Sequence, residues 1–332
     1  MIDIQTDGLV QRTIARLCNV SPTTISRYIS ANNYKPLNIK VHKNQKFSIS
    51  DSRDIIQNIT IKNDLDILKK KFAFYNFKGG VGKTSICFQF ASHMAIMGYN
   101  VLVIDADPQA HLSSSCGFSS DNNYLTIYDF LIREVSFDSV KKTIFEGLDC
   151  IPANLSLTRL EDDLAKIDNK SGKFSIAMTE VEKNYDFIFV DTNPTISLLN
   201  RNVVVFSEVV NIVCETQPYS LNGLKLLLDD LAKFYSHMKI SPRDLNIIPN
   251  KYEDRAASSA EAMTALRDYY SDYIKPDFAV RKSEDINISA KLGKPLALFA
   301  KKNSIALEDI IELLHYFLNK YTKQVSGNDK EN

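Results

Sequence analysis

The sequence predicts an α/β fold: a mostly parallel sheet with helices on both faces, preceded by a small helix-turn-helix or winged-helix domain. Three observations carry this. Apolar, strand-like runs alternate with helix-like runs from Phe72 onward. A glycine-rich turn, Lys78-Gly-Gly-Val-Gly-Lys-Thr84, joins the first of those strands to a helix. Charge changes sign near the same place: residues 1–71 carry 12 Lys/Arg against 6 Asp/Glu, whereas residues 72–332 carry 28 against 34.

Taken in order, Gln11 to Ile29 fits two short helices around a tight turn, with small Ala15 at the crossing and Asn19 in a left-handed conformation. The second helix starts at Ser21, with Pro22 in its first turn. Val20, Ile25 and Ile29 are expected inside, and Thr23, Thr24, Ser26 and Arg27 outside, where a recognition helix presents side chains to the major groove. Leu37–Val41 and Lys46–Ile49 flank a polar His42–Gln45, which suggests a hairpin or wing. Ser50-Asp-Ser opens a helix to about Ile59, and the charged stretch Lys62–Lys71 reads as a mobile linker. The domain boundary therefore falls at residue 71, with the sheet domain over 72–321.

The strands expected in that domain are Phe72–Asn76, Val101–Asp105, Leu148–Pro152, Tyr185–Asp191, Val209–Cys214 and Leu245–Asn250, with a short one at Phe278–Val280. Helices fill the intervals, among them Thr84–Met97, Leu221–His237, Ala256–Tyr270 and Ile305–Tyr321. Residues 322–332 read as a polar, disordered tail.

At 332 residues, with 44% hydrophobic and 24% charged side chains, the chain can bury a large core. Its five cysteines, Cys18, Cys87, Cys116, Cys150 and Cys214, show no paired spacing. They suit small core residues in a reducing compartment better than disulfides or cluster ligands. No run approaches the 18 apolar residues of a membrane span, so a cytoplasmic protein with no membrane partner is expected.

The glycine turn has the chemistry of an anion site. Glycines let backbone N–H groups turn inward, and the start of the helix adds unpaired donors and a partial positive charge. Lys83 would reach the β/γ-phosphates of a nucleotide, with the Thr84 hydroxyl on Mg²⁺ and Ser85 beside it. The strict phosphate-loop pattern wants a glycine where Phe77 stands, and the added Lys78 fits a variant, Lys-Gly-Gly-x-Gly-Lys-Thr. Two further strands end in acids: Val101–Asp105 continues into Ala-Asp107-Pro-Gln109, and Tyr185–Asp191 into Thr-Asn-Pro194. Asp105 and Asp107, two residues apart, face the same way. Asp191 ends a near-continuous apolar strand in the manner of a Mg²⁺-holding acid.

In this order the loop and the two strand ends resemble the deviant-Walker P-loop ATPases of the ParA/MinD family. The chain is most similar to ParA-type plasmid partition proteins with an N-terminal helix-turn-helix. Ile151-Pro-Ala-Asn154, Gln217–Gly223 and Ile288–Pro295 agree with that resemblance, which spans roughly residues 72–320. It implies ATP and Mg²⁺ as cofactors, with Lys78, Gly79, Gly80, Val81, Gly82, Lys83, Thr84 and Ser85 around the phosphates and Asn250 at the adenine. It further implies that Lys78 crosses to the partner's phosphates in an ATP-bound homodimer, that Asp107 positions the attacking water beside Asp105, and that Thr84, Asp191 and Asp105 serve the metal. Non-specific DNA (with Arg255 as one contact), operator DNA bound by the N-terminal domain for autoregulation, and a ParB-type partner that stimulates hydrolysis complete the expectation of a nucleoid-associated partition ATPase. Gln217 stands where many relatives have an acid and receives no role. A MinD-like cell-division regulator and a nucleotide-responsive transcriptional repressor are the alternatives.

Overall fold

The computed structural model describes residues 2–37, 45–60, 65–119, 123–167 and 171–324. At the N-terminus, strand β1 (Gly8–Val10) leads into helix α1 (Gln11–Leu17), and a turn with Asn19 at φ 53° leads into α2 (Pro22–Ala31). The Ser21 hydroxyl caps α2 by accepting from Thr24 N at 3.2 Å. Strand β2 (Lys46–Ser48) and helix α3 (Ile49–Thr60) follow. β2 pairs antiparallel with β1, and Leu37 N donates to Lys46 O at 2.8 Å, a contact between the two arms of the expected hairpin. Residues 38–44, the rest of the expected wing, lie outside the described residues.

Strand β3 (Leu65–Ile67) stands where a mobile linker was expected. It pairs antiparallel with β11 (Thr322–Gln324), so the first three residues of the expected tail are a strand as well. Both pieces are only three residues long, and each supplies the other's ladder partner, which no local pattern in the sequence reveals. Residues 325–332 fall outside the described residues.

Seven strands form the main sheet: β4 (Lys71–Tyr75), β5 (Val101–Ala106), β6 (Lys142–Phe145), β7 (Leu148–Ile151), β8 (Phe187–Thr192), β9 (Val209–Glu215) and β10 (Asp244–Asn250). Their spatial order is β10-β9-β4-β8-β5-β7-β6, parallel throughout except for the antiparallel edge strand β6. Phe278–Val280 is not a strand. It runs beside the end of β10, with Val280 N donating to Pro249 O at 2.8 Å.

Because both faces of the sheet are covered, its strands are apolar at nearly every position. Phe72 and Phe74 point to one side, where helix α4 (Lys83–Ile96) and the helix Ile305–Tyr321 pack; Ala73 and Tyr75 point to the other. The first side holds an aromatic cluster in which the rings of Phe72 and Phe317 lie 4.5 Å apart. All five cysteines are buried and free.

The N-terminal helices share this core, since Leu9, Ile14, Ile25, Ile55 and Ile56 belong to the same buried cluster as α4. Arg53, buried on α3, donates to Ala95 O, to Tyr99 O at 2.7 Å and to Asn100 Oδ1 at 3.0 Å. It thereby ties α3 to the C-terminal end of α4 and to the turn that follows. Lys294 and Asp7 add an ion pair at 2.7 Å.

Candidate functional site

Parallel α/β sheets place ligands at the carboxyl ends of their strands. Here the ends of β4, β5 and β8 deliver the glycine loop, Asp105 and Asp191 side by side. Asp105 and Asp191 are register partners on neighbouring strands. Asn76 sets the start of the loop: its Nδ2 donates to Val213 O at 2.7 Å, and its Oδ1 accepts from Lys78 N at 2.9 Å. Gly82 is the N-cap of α4 at φ 97°, a left-handed conformation that only glycine adopts freely. Asn250, at the end of β10, donates from Nδ2 to Val81 O at 2.8 Å and so braces the loop as well as lining the cleft above it.

Lys83 is 6% exposed, with its ammonium 3.4 Å from the Lys78 carbonyl. Burial pushes its pKa down, and the facing Asp191 and Asp107 oppose that. The Thr84 hydroxyl donates to Asp191 Oδ2 at 2.6 Å, while Asp191 Oδ1 is buried with no hydrogen-bond partner. Burial and the neighbouring Asp105 hold the Asp191 pKa well above the carboxylate range, against the Thr84 hydrogen bond and Lys83. Such an environment suits a hard divalent cation: an unpartnered carboxylate oxygen, a hydroxyl whose proton is already committed, and acidic groups in want of positive charge.

Asp105 is wholly buried and its oxygens are occupied: Oδ2 accepts from Ser113 N at 2.8 Å and Ser113 Oγ at 2.6 Å, and Oδ1 from Asp107 N at 3.1 Å. Burial raises its pKa to about 6, against those hydrogen bonds. It fixes the turn that carries Asp107, whose Oδ1 accepts from Gln109 N at 2.9 Å. Ser113, the residue that holds Asp105, has no sequence signal beyond its place in the following helix.

Lys78 is 49% exposed along its side chain and pairs with Glu215 Oε2 at 2.6 Å. Lys251 pairs with the other oxygen of Glu215 at 2.8 Å and also donates to Gly80 O at 2.6 Å. Neither Glu215 nor Lys251 was expected at the site. Both sit at strand ends, next to positions the motif reading stopped at. Glu215 and Lys251 line a cleft of about 440 Å³ together with Gly80, Gly82, Ser85, Asn250 and Lys282.

The expected DNA-facing residues are elsewhere. Thr23, Thr24, Ser26 and Arg27 are exposed on α2, and Arg255 is exposed in the turn after β10. Among the described residues no helix is long and apolar enough to cross a membrane.

Known proteins share this architecture. An AAA domain family model, AAA_31, matches residues 69–247, more than half of the chain. The cell division protein PomZ of Myxococcus xanthus is 28% identical over 246 residues, which cover 74% of this chain and 76% of PomZ. The chromosome partitioning protein ParA of Caulobacter vibrioides is 27% identical over 233 residues, 69% of this chain and 87% of ParA. Among solved structures, Cyanothece McdA in complex with ATP aligns with a TM-score of 0.68 at 19% identity, over 79% of this chain and 100% of that one, a likeness of fold. The chain therefore belongs to the AAA_31 family of AAA domains, as one of its ParA/MinD-type P-loop ATPases.

Proposed function

We propose that this chain is a DNA-partition ATPase: it binds ATP with Mg²⁺ at the loop Lys78–Ser85, dimerises in that state, holds non-specific DNA and releases it on hydrolysis. The observation that carries this reading is the convergence on one sheet edge of the Thr84–Asp191 hydrogen bond, the unpartnered Asp191 oxygen and the buried Lys83 ammonium. Thr84 and Asp191, with Asp105 behind them, would hold Mg²⁺, which supplies charge neutralisation between the phosphates. Among the described residues no cluster of three or more His, Cys, Asp or Glu makes a metal cage of its own. Phosphate oxygens and water would complete the shell.

Phosphoryl transfer asks the protein mainly for positioning and charge. The loop amides and Lys83 orient the phosphates, Asn250 borders the adenine side of the cleft, and Asp107, steadied by Gln109 N, orients a water. Lys78 contributes a cation to the partner subunit's nucleotide, which ties dimer formation to ATP. Two copies of a weakly basic surface including Arg255 then double the phosphate contacts on DNA, and affinity rises steeply with their number. The N-terminal domain binds operator DNA through Thr23, Thr24, Ser26 and Arg27, and a ParB-type partner stimulates turnover in the cytoplasm. The exposure of those four side chains on α2 also supports a second role, nucleotide-responsive repression.

The test is Asp107→Ala, measured by phosphate release alongside retention of labelled ATP. Loss of a positioned proton acceptor should slow hydrolysis about 100-fold with ATP retained. Wild-type turnover in the variant would remove Asp107 from this role.

A further inference from the structure

The loop carries more positive charge at its mouth than the motif requires, and one carboxylate restrains it. Glu215, the last residue of β9, accepts from Lys78 Nζ at 2.6 Å through Oε2 and from Lys251 Nζ at 2.8 Å through Oε1. Lys251 reaches over the loop to donate to Gly80 O at 2.6 Å, from a backbone at φ 57° that a lysine adopts only when its surroundings hold it there. Both lysines are partly exposed, 49% and 43% along their side chains, so either can leave the carboxylate without passing through the core. Lys251 also lines the same cleft as Gly80, Gly82 and Asn250.

We infer that Glu215 is a counter-charge latch on the phosphate loop, holding Lys78 and Lys251 until nucleotide phosphates displace it, and that Lys251 is a further phosphate-contacting residue. The inference rests on the reading of the loop as a nucleotide site. Two ammonium groups sharing one carboxylate leave a net positive charge facing the cleft, which draws in an anion. A polyphosphate offers each lysine more negative charge and more acceptor oxygens than Glu215 does, so the pairing is exchanged rather than lost. Burial alone would raise the Glu215 pKa, yet its hydrogen bonds from Lys251 and Lys78 hold it below the usual range, so it is ionised and occupied before nucleotide arrives. In that state Lys78 is turned toward its own β9. Lys78 also lies 3.4 Å from Ser220 Oγ, which leaves it a second tether when Glu215 is neutralised.

Titration calorimetry with ADP and Mg²⁺ tests this on the full-length protein, because ADP reports binding without turnover. Glu215→Gln keeps the shape and removes the charge. It should tighten ADP binding about threefold, the scale of a partly exposed ion pair. Lys251→Gln should weaken it about tenfold, the scale of a charge-assisted hydrogen bond. Thermal melting of each variant reports folding separately. If Glu215 only ties β9 to the loop, Glu215→Gln lowers the melting temperature and leaves ADP affinity unchanged or weaker, which overturns the latch. Wild-type affinity in Lys251→Gln overturns the phosphate contact. A wild-type protein that binds no ADP overturns the nucleotide reading and the latch together.

Discussion

Gly79, Gly80 and Gly82 look alike in the sequence, and the structure separates them. Gly82 sits at φ 97° with Asn250 Nδ2 against its α-carbon, so that a Cβ there would lie 2.3 Å from that nitrogen. At Gly79 the same Cβ would meet only Pro194 Cγ at 3.9 Å. In nucleotide-free protein, Gly82→Ala should therefore cost about 2 kcal/mol or more of stability, through left-handed strain and the collision. Gly79→Ala should stay within about 0.5 kcal/mol. Denaturant melts of both variants check the pair, and equal losses would contradict the assigned loop geometry. Lys83, Thr84, Asp105, Asp107 and Asp191 were legible because spacing along the chain alone places them at strand and helix ends. Glu215 was not, because what makes it part of the site is Lys78, 137 residues away along the chain.

Among the elements, α4 explains itself by its surroundings. It shows no polar face: Ile86, Phe88, Phe90, Met94 and Ile96 are buried together with Gln89, Ser92 and His93. A helix apolar all round must be covered all round. The sheet lies on one side, and α3 of the N-terminal module helps to cover the other. His93 is the sensor of that burial. Its Nδ1 lies 2.7 Å from Gln89 O, its Nε2 has no partner, and burial pushes its pKa from 6.5 to about 4. Between those values the unfolded chain binds the proton and the folded chain does not, so stability is full above about 6.5 and falls as pH drops toward 4. The loss attributable to His93 reaches about 3 kcal/mol. The difference in unfolding free energy between wild type and His93→Gln, followed from pH 7 to pH 4, isolates it. A pH-independent difference would contradict the neutral, buried imidazole. The sheet strands and long helices were readable because their apolar runs are long. The edge strand β6 and the pair β3 and β11 were not, since three or four polar-flanked residues become strands only when a distant partner supplies the ladder.

At the scale of the whole molecule, the basic N-terminal segment and the ATPase body share one core, joined where Arg53 meets the end of α4. The phosphate loop grips one end of that helix and the N-terminal module the other. Through α3 and α1 the packing continues to α2. Charge asymmetry in the sequence pointed to nucleic acid at the front of the chain, but nothing in it indicated this docking, because Arg53 reads locally as one more surface arginine. The proposed function requires that ATP at the loop govern contact with DNA. Retention on a non-specific DNA duplex, measured for wild type and Lys83→Ala with ATP or ADP and Mg²⁺ at fixed salt, tests that claim most directly. The account predicts retention with ATP, little with ADP, and none that depends on nucleotide in Lys83→Ala. DNA binding of equal strength with ATP, with ADP and without nucleotide would contradict it.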